Sequence, residues 1–156
     1  MHPLDIRPLD RTDAPALLAF ETANRGWFEA HIDPRDPGFY CLEGVAAHID
    51  QYLTGFAQGT WHPLVIVDAK QAIVGRANLK DIDLLTRSAE VGYRIAEHAC
   101  GQGLATLALR RLIDEARGRW QLTRLVAQVY DSNLGSRAVL QRAGFVPGAE
   151  GLVLTL

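Results

Sequence analysis

The segment His98-Ala99-Cys100-Gly101-Gln102-Gly103-Leu104-Ala105 sets two glycines directly before the most helical stretch of the chain. A helix N-terminus offers unpaired N–H groups and the positive end of the helix dipole, and glycines let backbone approach a diphosphate without Cβ atoms in the way. An anionic cofactor is the natural ligand of such a turn. The chain has no Walker A loop, and Thr106 stands where a dinucleotide fingerprint needs a third glycine or alanine. Taken alone, the two glycines equally describe a tight strand-to-helix connection. Asn133 and Ser136, three residues apart at the start of a second helix, face one turn region; the same residues also serve as a helix cap and an ordinary first-turn serine. Cys100 lies where a helix N-terminus lowers a thiol pKa, but the sequence places no His or Asp beside it as a partner, so a small buried filler is expected. The five histidines and two cysteines lack metal-ligand spacing, and no metal is expected.

The elements that must hold these residues follow from periodicity. A short extended segment at Leu4 and Ile6 precedes a helix capped by Thr12 or Asp13, with Pro15 in its first turn, running to about Trp27. Residues 26 to 44, with Pro34, Pro37 and Gly38, suggest a long irregular connection. Val45, Ala46, Ile49, Tyr52, Leu53 and Phe56 mark an amphipathic helix ending near Gly59. Strands are expected at 64–67, 73–79 and 89–95, then a helix at 104–117, a strand at 124–130, a helix at 133–143 stopped by Gly144, and short strands at 145–146 and 152–156. The apolar segment Leu152 to Leu156 suits either a central strand or an edge that pairs with a second subunit, so a monomer or weak homodimer is expected. The whole is an α/β (α+β) single domain over residues 1–156: a mixed, mostly antiparallel sheet of about six to seven strands, flanked by about four helices.

Composition narrows the function. The chain has 156 residues, 48% of them hydrophobic, with 16 Lys+Arg against 18 Asp+Glu. A net charge of −2 supplies no general field for nucleic acid, and the cationic group Arg110, Arg111, Arg117, Arg119 and Arg124 is interleaved with Asp114 and Glu115. No apolar run approaches the ~20 residues that cross a bilayer, and no signal segment is visible, so neither nucleic acid nor membrane is an expected partner and a cytoplasmic location is the default.

Three strings together, Ala89-Glu90-Val91-Gly92-Tyr93-Arg94-Ile95, Gly101-Gln102-Gly103-Leu104-Ala105-Thr106-Leu107-Ala108-Leu109 and Asn133-Leu134-Gly135-Ser136-Arg137-Ala138-Val139-Leu140-Gln141-Arg142-Ala143-Gly144-Phe145, resemble the GNAT superfamily of acyl-CoA-dependent N-acetyltransferases. The branch they are most similar to is that of the Rim-type ribosomal-protein N-terminal acetyltransferases. The resemblance implies acetyl-CoA as cosubstrate, a sheet splayed at the cofactor site, and a diphosphate cradled by the turn His98-x-x-Gly101-x-Gly103, where His98 stands in place of the family's Arg or Gln. It further implies that Tyr93, Arg94 and Ile95 pair with the pantetheine arm, that Gln102, Leu104 and Ala105 complete the turn, and that Asn133 contacts the arm. Ser136 would lie near the thioester sulfur as general acid, with Tyr130 as the second candidate. The oxyanion would meet a main-chain N–H near Tyr93 or Ile95. Trp27, Phe28, His31, Phe39 and Tyr40 would line the acceptor side.

The implied reaction sets a demand on the base. A lysine amine of pKa ~10.4 is neutral to only about 0.04% at pH 7, whereas an α-amine near ~7.8 is neutral to about a tenth. A modest base acting through water suffices for an N-terminal acceptor, and Glu90, at the strand edge before the cofactor turn, is the candidate. The expected function is direct transfer of an acetyl group from acetyl-CoA to a primary amine, foremost the α-amine of a protein or peptide. The alternatives are a small-molecule amine such as a polyamine, amino acid or antibiotic, and a non-catalytic acyl-CoA-binding module.

Overall fold

In the computed structural model, which describes residues 4–129 and 133–156, one helix organises the centre of the molecule. Leu104–Gly118 (α4) buries Leu104, Ala108, Leu109, Leu112, Ile113 and Ala116, an apolar stripe at helical spacing, against the strands Ile73–Asp83 (β3) and Ser88–Ile95 (β4). The remaining strands are Asp5–Pro8 (β1), His62–Val67 (β2), Arg124–Ala127 (β5), Val146–Gly148 (β6) and Gly151–Thr155 (β7). They form one seven-stranded sheet in the order β1-β2-β3-β4-β5-β7-β6, antiparallel except for the β4–β5 pair. That parallel pair is the one α4 connects, as a crossover helix must. Strands β2 and the first half of β3 are buried on both faces, which is why they read as near-continuous apolar runs.

Ala14–Ala23 (α1), Arg25–Glu29 (α2) and Leu42–Gln58 (α3) precede the hairpin of β2 and β3, and Leu134–Arg142 (α5) follows β5. The first helix does not run on to Trp27 as expected. The Asn24 side chain donates to the Phe20 carbonyl and accepts from Glu97 N–H, both at 2.9 Å, and α1 ends there, with α2 starting anew at Arg25. Asp10, rather than Thr12 or Asp13, provides the N-terminal side-chain cap, in a reciprocal box with Asp13 on the short 3-10 turn at 11–13.

The expected irregular connection at 26–44 contains α2, a 3-10 turn at Pro37–Phe39, and the first residues of α3. Gly44 sits inside α3 because a Cβ there would come within 2.2 Å of the Gly38 carbonyl oxygen, so the glycine marks a close approach and not a helix boundary. Cys41 caps that helix through its sulfur, which accepts from Gly44 N–H. Strand β5 stops at Ala127, short of the predicted 130, and Tyr130 lies outside the described residues. The segment ending the chain resolves the open alternative: β7 lies between β5 and β6 and is not an edge.

Candidate active site

Strands β4 and β5 run side by side only from Ser88 opposite Arg124 to Val91 opposite Ala127. Beyond that point β4 continues to Ile95 with β3 on one flank, Arg94 opposite Arg76 and Ile95 opposite Gly75, while among the described residues nothing pairs with its other flank. Backbone groups of residues 92–95 therefore face a gap, as an acceptor for an added extended chain would require.

Two cavities open into this gap. The larger, ≈ 740 Å³, runs from Trp27, Phe28 and His31 past Tyr93, Arg94 and Ile95 to Gly101, Gly103, Leu104, Ala105 and Thr106. At its far end Gly101 and Gly103 adopt φ of +78° and +80°, and a Cβ on either would meet nothing within 4 Å. Their conformation, not crowding, is what selects glycine. Gly103 caps α4 without a side-chain hydrogen bond, so among the described residues no side chain caps the first turn of α4, whose residues Leu104, Ala105 and Thr106 line the cavity. The turn is held by Asn24 through Glu97 N–H, one step upstream. His98 and Gln102 are exposed and stand off this cavity: the Gln102 amide donates to the His98 carbonyl, and His98 lines a shallow groove beside α1 instead. Cys100 is exposed and not the buried filler expected; its thiol points at the carbonyls of Ala96 and Ile95, and partial burial, together with Glu97, pushes its pKa up, the reverse of an activated nucleophile.

The second cavity, ≈ 480 Å³, shares His31, Ile32, Tyr93, Arg94, Asn133 and Ser136 with the first. At this junction the Tyr93 hydroxyl and Ser136 Oγ are 2.9 Å apart, and Asn133 Oδ1 accepts the Ser136 N–H at 3.3 Å. Burial raises the Tyr93 pKa, with the Ser136 hydrogen bond opposing it, so the phenol stays protonated. Farther in, Glu90 pairs with Lys80 at 3.0 Å, and Asn78 lies opposite Gly92 on the neighbouring strand.

Beneath this cavity is a cluster that the sequence reading did not contain. Glu21 of α1 is fully buried and accepts from three guanidinium groups: Arg76 at 2.7 Å, Arg94 at 3.2 Å and Arg35 at 3.2 and 3.3 Å. Burial works against its charge, but Arg76, Arg35 and Arg94 together outweigh it and hold the carboxyl below its ordinary range. Arg76 also reaches His48 Nε2 at 2.8 Å, and burial plus the three cations drive the His48 pKa down to about 2. The imidazole is therefore neutral, with Nε2 as acceptor. Burial and the crowd of like charges also lower Arg94, to about 10, against the pull of Glu21.

Two signals pointed to the cluster. Leu17, Phe20, Glu21 and Asn24 share a helical face, so Glu21 interrupts an apolar stripe, and Arg76 interrupts the buried run of β3. Of the aromatics expected at the acceptor side, Trp27 and His31 line the larger cavity and contact each other edge-to-face, while Phe28 is buried under Arg94 and against Phe20 as well as reaching the cavity wall. Phe39 and Tyr40 line neither cavity. They stack under Arg35 and Arg25 respectively, and Phe39 is part of the core.

A parallel strand pair that splays above an uncapped helix N-terminus is the arrangement of a GNAT acetyltransferase, and the chain belongs to that family: the acetyltransferase (GNAT) domain matches residues 4–146. It is an acetyltransferase of the GNAT type. Among curated proteins it is 31% identical over 142 residues to "Probable N-acetyltransferase YjcK" of Bacillus subtilis (strain 168), covering 90% of this chain and 78% of that one. Its fold is that of ribosomal-protein-S5-alanine acetyltransferase from Vibrio fischeri, with a TM-score of 0.90 at 21% identity over 97% of this chain and 92% of that one. RimJ of Mycobacterium smegmatis, solved with CoA-disulfide, superposes with a TM-score of 0.88 at 24% identity, covering 97% and 81% of the two chains. Among the described residues no group of His, Cys, Asp and Glu could hold a metal ion, and no helix is long and apolar enough to cross a membrane.

Proposed function

We propose that this chain, working as a single domain, transfers an acetyl group from acetyl-CoA directly to a primary amine within a ternary complex, the acceptor being the α-amine of a protein or peptide. The observation that carries this reading is the meeting of two cavities at the Tyr93–Ser136 hydrogen bond, one ending at the uncapped turn of α4 and the other holding Glu90. The residues fit the cosubstrate. First-turn N–H groups of α4 suit its diphosphate, and the free flank of β4 suits the amides of its pantetheine arm.

In this scheme the acceptor amine attacks the thioester carbonyl, forming the N–C bond as the C–S bond breaks. Glu90, its charge balanced by Lys80, takes the amine proton through a water molecule. A main-chain N–H near Tyr93 or Ile95 receives the developing oxyanion. The Ser136 hydroxyl gives its proton to the departing thiolate and takes one from its partner Tyr93, whose raised pKa keeps it protonated beforehand; Tyr93 is then reprotonated from solvent while Glu90 returns the amine proton to solvent, so both ends of the site are reset. Asn133 sets the position of Ser136 by accepting its N–H. Tyr130 stays the second candidate for the acid.

The test is calorimetric titration with CoA followed by thiol release from acetyl-CoA over a panel of N-terminal peptides and small amines. Ser136→Ala is expected to lower kcat by roughly ten- to hundredfold and leave CoA affinity within about twofold. Binding without thiol release on any amine of the panel would overturn the proposed acceptor class and the roles given to Ser136 and Glu90.

A further inference from the structure

The wall of the smaller cavity is built from three cross-strand pairs in register: Arg76 opposite Arg94, Asn78 opposite Gly92, and Lys80 opposite Glu90. Because side chains alternate along a strand, all six positions belong to one face of the sheet. One end of the row is cationic, the other is a neutralised ion pair, and between them Gly92 leaves room that the Lys80 side chain partly covers. The middle also holds Asn78 Oδ1, a buried acceptor without a hydrogen-bond partner among the described residues.

Among the described residues the charges at this site do not balance. Four bases, Arg35, Arg76, Arg94 and Lys80, stand against three acids, Glu21, Asp33 and Glu90. His48 is neutral and does not change this count. The surplus sits at the arginine end, since Lys80 and Glu90 satisfy each other. Glu21 cannot absorb more: its two oxygens already accept four N–H bonds, about the capacity of a carboxylate, whereas Arg94 gives it only one of its five donors. An ion cluster that served the fold alone would match its guanidiniums with carboxylates, because an unmatched charge away from water is costly.

Resting on the reading of this cavity as the acceptor site, we propose that the acceptor is an amine that also carries a carboxylate, bound by the guanidiniums of Arg94 and Arg35 while Glu90 and Asn78 Oδ1 receive the amine. A polyamine would meet cations where it needs anions. Four residues of strand place Glu90 about 13 Å from Arg94 along the backbone. That span suits an acidic side chain one or two residues from the reacting amine better than a carboxylate on the same carbon.

The experiment is calorimetric binding to the CoA-saturated protein of the peptide amides Ala-Glu-Ala, Ala-Gln-Ala and Ala-Lys-Ala, with free alanine and alaninamide as a second pair, and thiol release from acetyl-CoA measured on the same panel. The glutamate peptide is expected to bind about tenfold or more tightly than its glutamine isostere. Arg35→Gln should shrink that ratio to below about threefold, and Arg35→Lys should keep part of it. A preference confined to alanine over alaninamide would assign the arginines to an α-carboxylate instead. Equal binding within both pairs, a preference for the lysine peptide, or a ratio unmoved by Arg35→Gln would overturn the carboxylate site. Thiol release without a preference would leave the transferase reading standing alone, and a preference without thiol release would do the reverse.

Discussion

The two cavities that meet at Ser136 are built from different materials. The larger is made of main chain: a glycine turn in the left-handed region, the first turn of α4 without a side-chain cap, and a strand flank that has no neighbour among the described residues. The smaller is made of side-chain charge, with Glu21, three arginines and a neutral histidine converging from α1, α3, β3, β4 and the segment between α2 and α3. A main-chain site accepts many sequences so long as the backbone keeps its path. A side-chain site depends on each member, because removing one leaves the rest as buried charge. The first design suits a ligand common to a whole family, and the second suits a ligand particular to one protein.

The largest effect expected is at Glu21. Glu21→Gln leaves three guanidiniums without their carboxylate and should destabilise the protein by about 3–5 kcal/mol, a large share of a typical domain's stability. Urea unfolding measures it, and Glu21→Asp, which keeps the charge, should fall between. CoA affinity of the folded fraction should hold within about twofold; a loss comparable to that of a turn variant would mean that the two cavities are not separate constructions. The same cluster sets an acid limit. Glu21 has a lowered folded pKa, so its contribution is present above the ordinary carboxyl range and is lost as pH falls through the folded value. His48 is lowered from 6.5 to about 2, so the unfolded chain takes up a proton that the folded one refuses and stability declines from about pH 6.5 downward. His48→Gln, a neutral acceptor for Arg76, should flatten the fall in Tm between about pH 6.5 and 4.5 and leave the steeper fall below it.

A smaller effect, on the other cavity, is expected from Gly103→Ala. The space is open, so the cost is that of a left-handed residue with a Cβ, about 1–2 kcal/mol, taken either as stability or as a shifted turn. Calorimetry should show CoA affinity reduced by about tenfold with the glutamate-over-glutamine preference unchanged. A variant that lost that preference would join the turn to the arginine cluster and erase the distinction between them.

The same contrast explains what could be read before the fold was known. The glycine turn, the strand before it and the helix after it are contiguous, so Gly101, Gly103, Leu104 and Ala105 were legible as one unit. The Asn133–Ser136 pair was legible for the same reason, although its meeting with Tyr93 across 43 residues was not. The charge cluster joins Glu21 to partners 14, 55 and 73 residues away, and only the polar interruptions of two apolar patterns hinted at it. The break at Asn24 was hidden because its cause is a hydrogen bond to Glu97, far along the chain. Periodicity extends strand β5 beyond Ala127 because it continues past the point where its partner β4 diverges, and divergence is a property of the sheet and not of either strand.

The smallest effect predicted is at His98, where this chain departs from the Arg or Gln of the family it resembles. If the turn acts through main chain, the side chain at this position is free to vary, and the structure gives it an exposed place beside α1, off the larger cavity, with its carbonyl engaged by Gln102. His98→Gln should therefore change CoA affinity by less than about twofold, the size of an ordinary surface substitution. His98→Arg tests the point harder, since a guanidinium is long, charged and suited to phosphate. If it raises affinity tenfold and the gain vanishes with salt, the side chain reaches the diphosphate and a cationic residue there supplements the amides. If affinity holds at both low and high salt, the amides of α4 hold the ligand unaided, which is how a histidine came to be tolerated in that place.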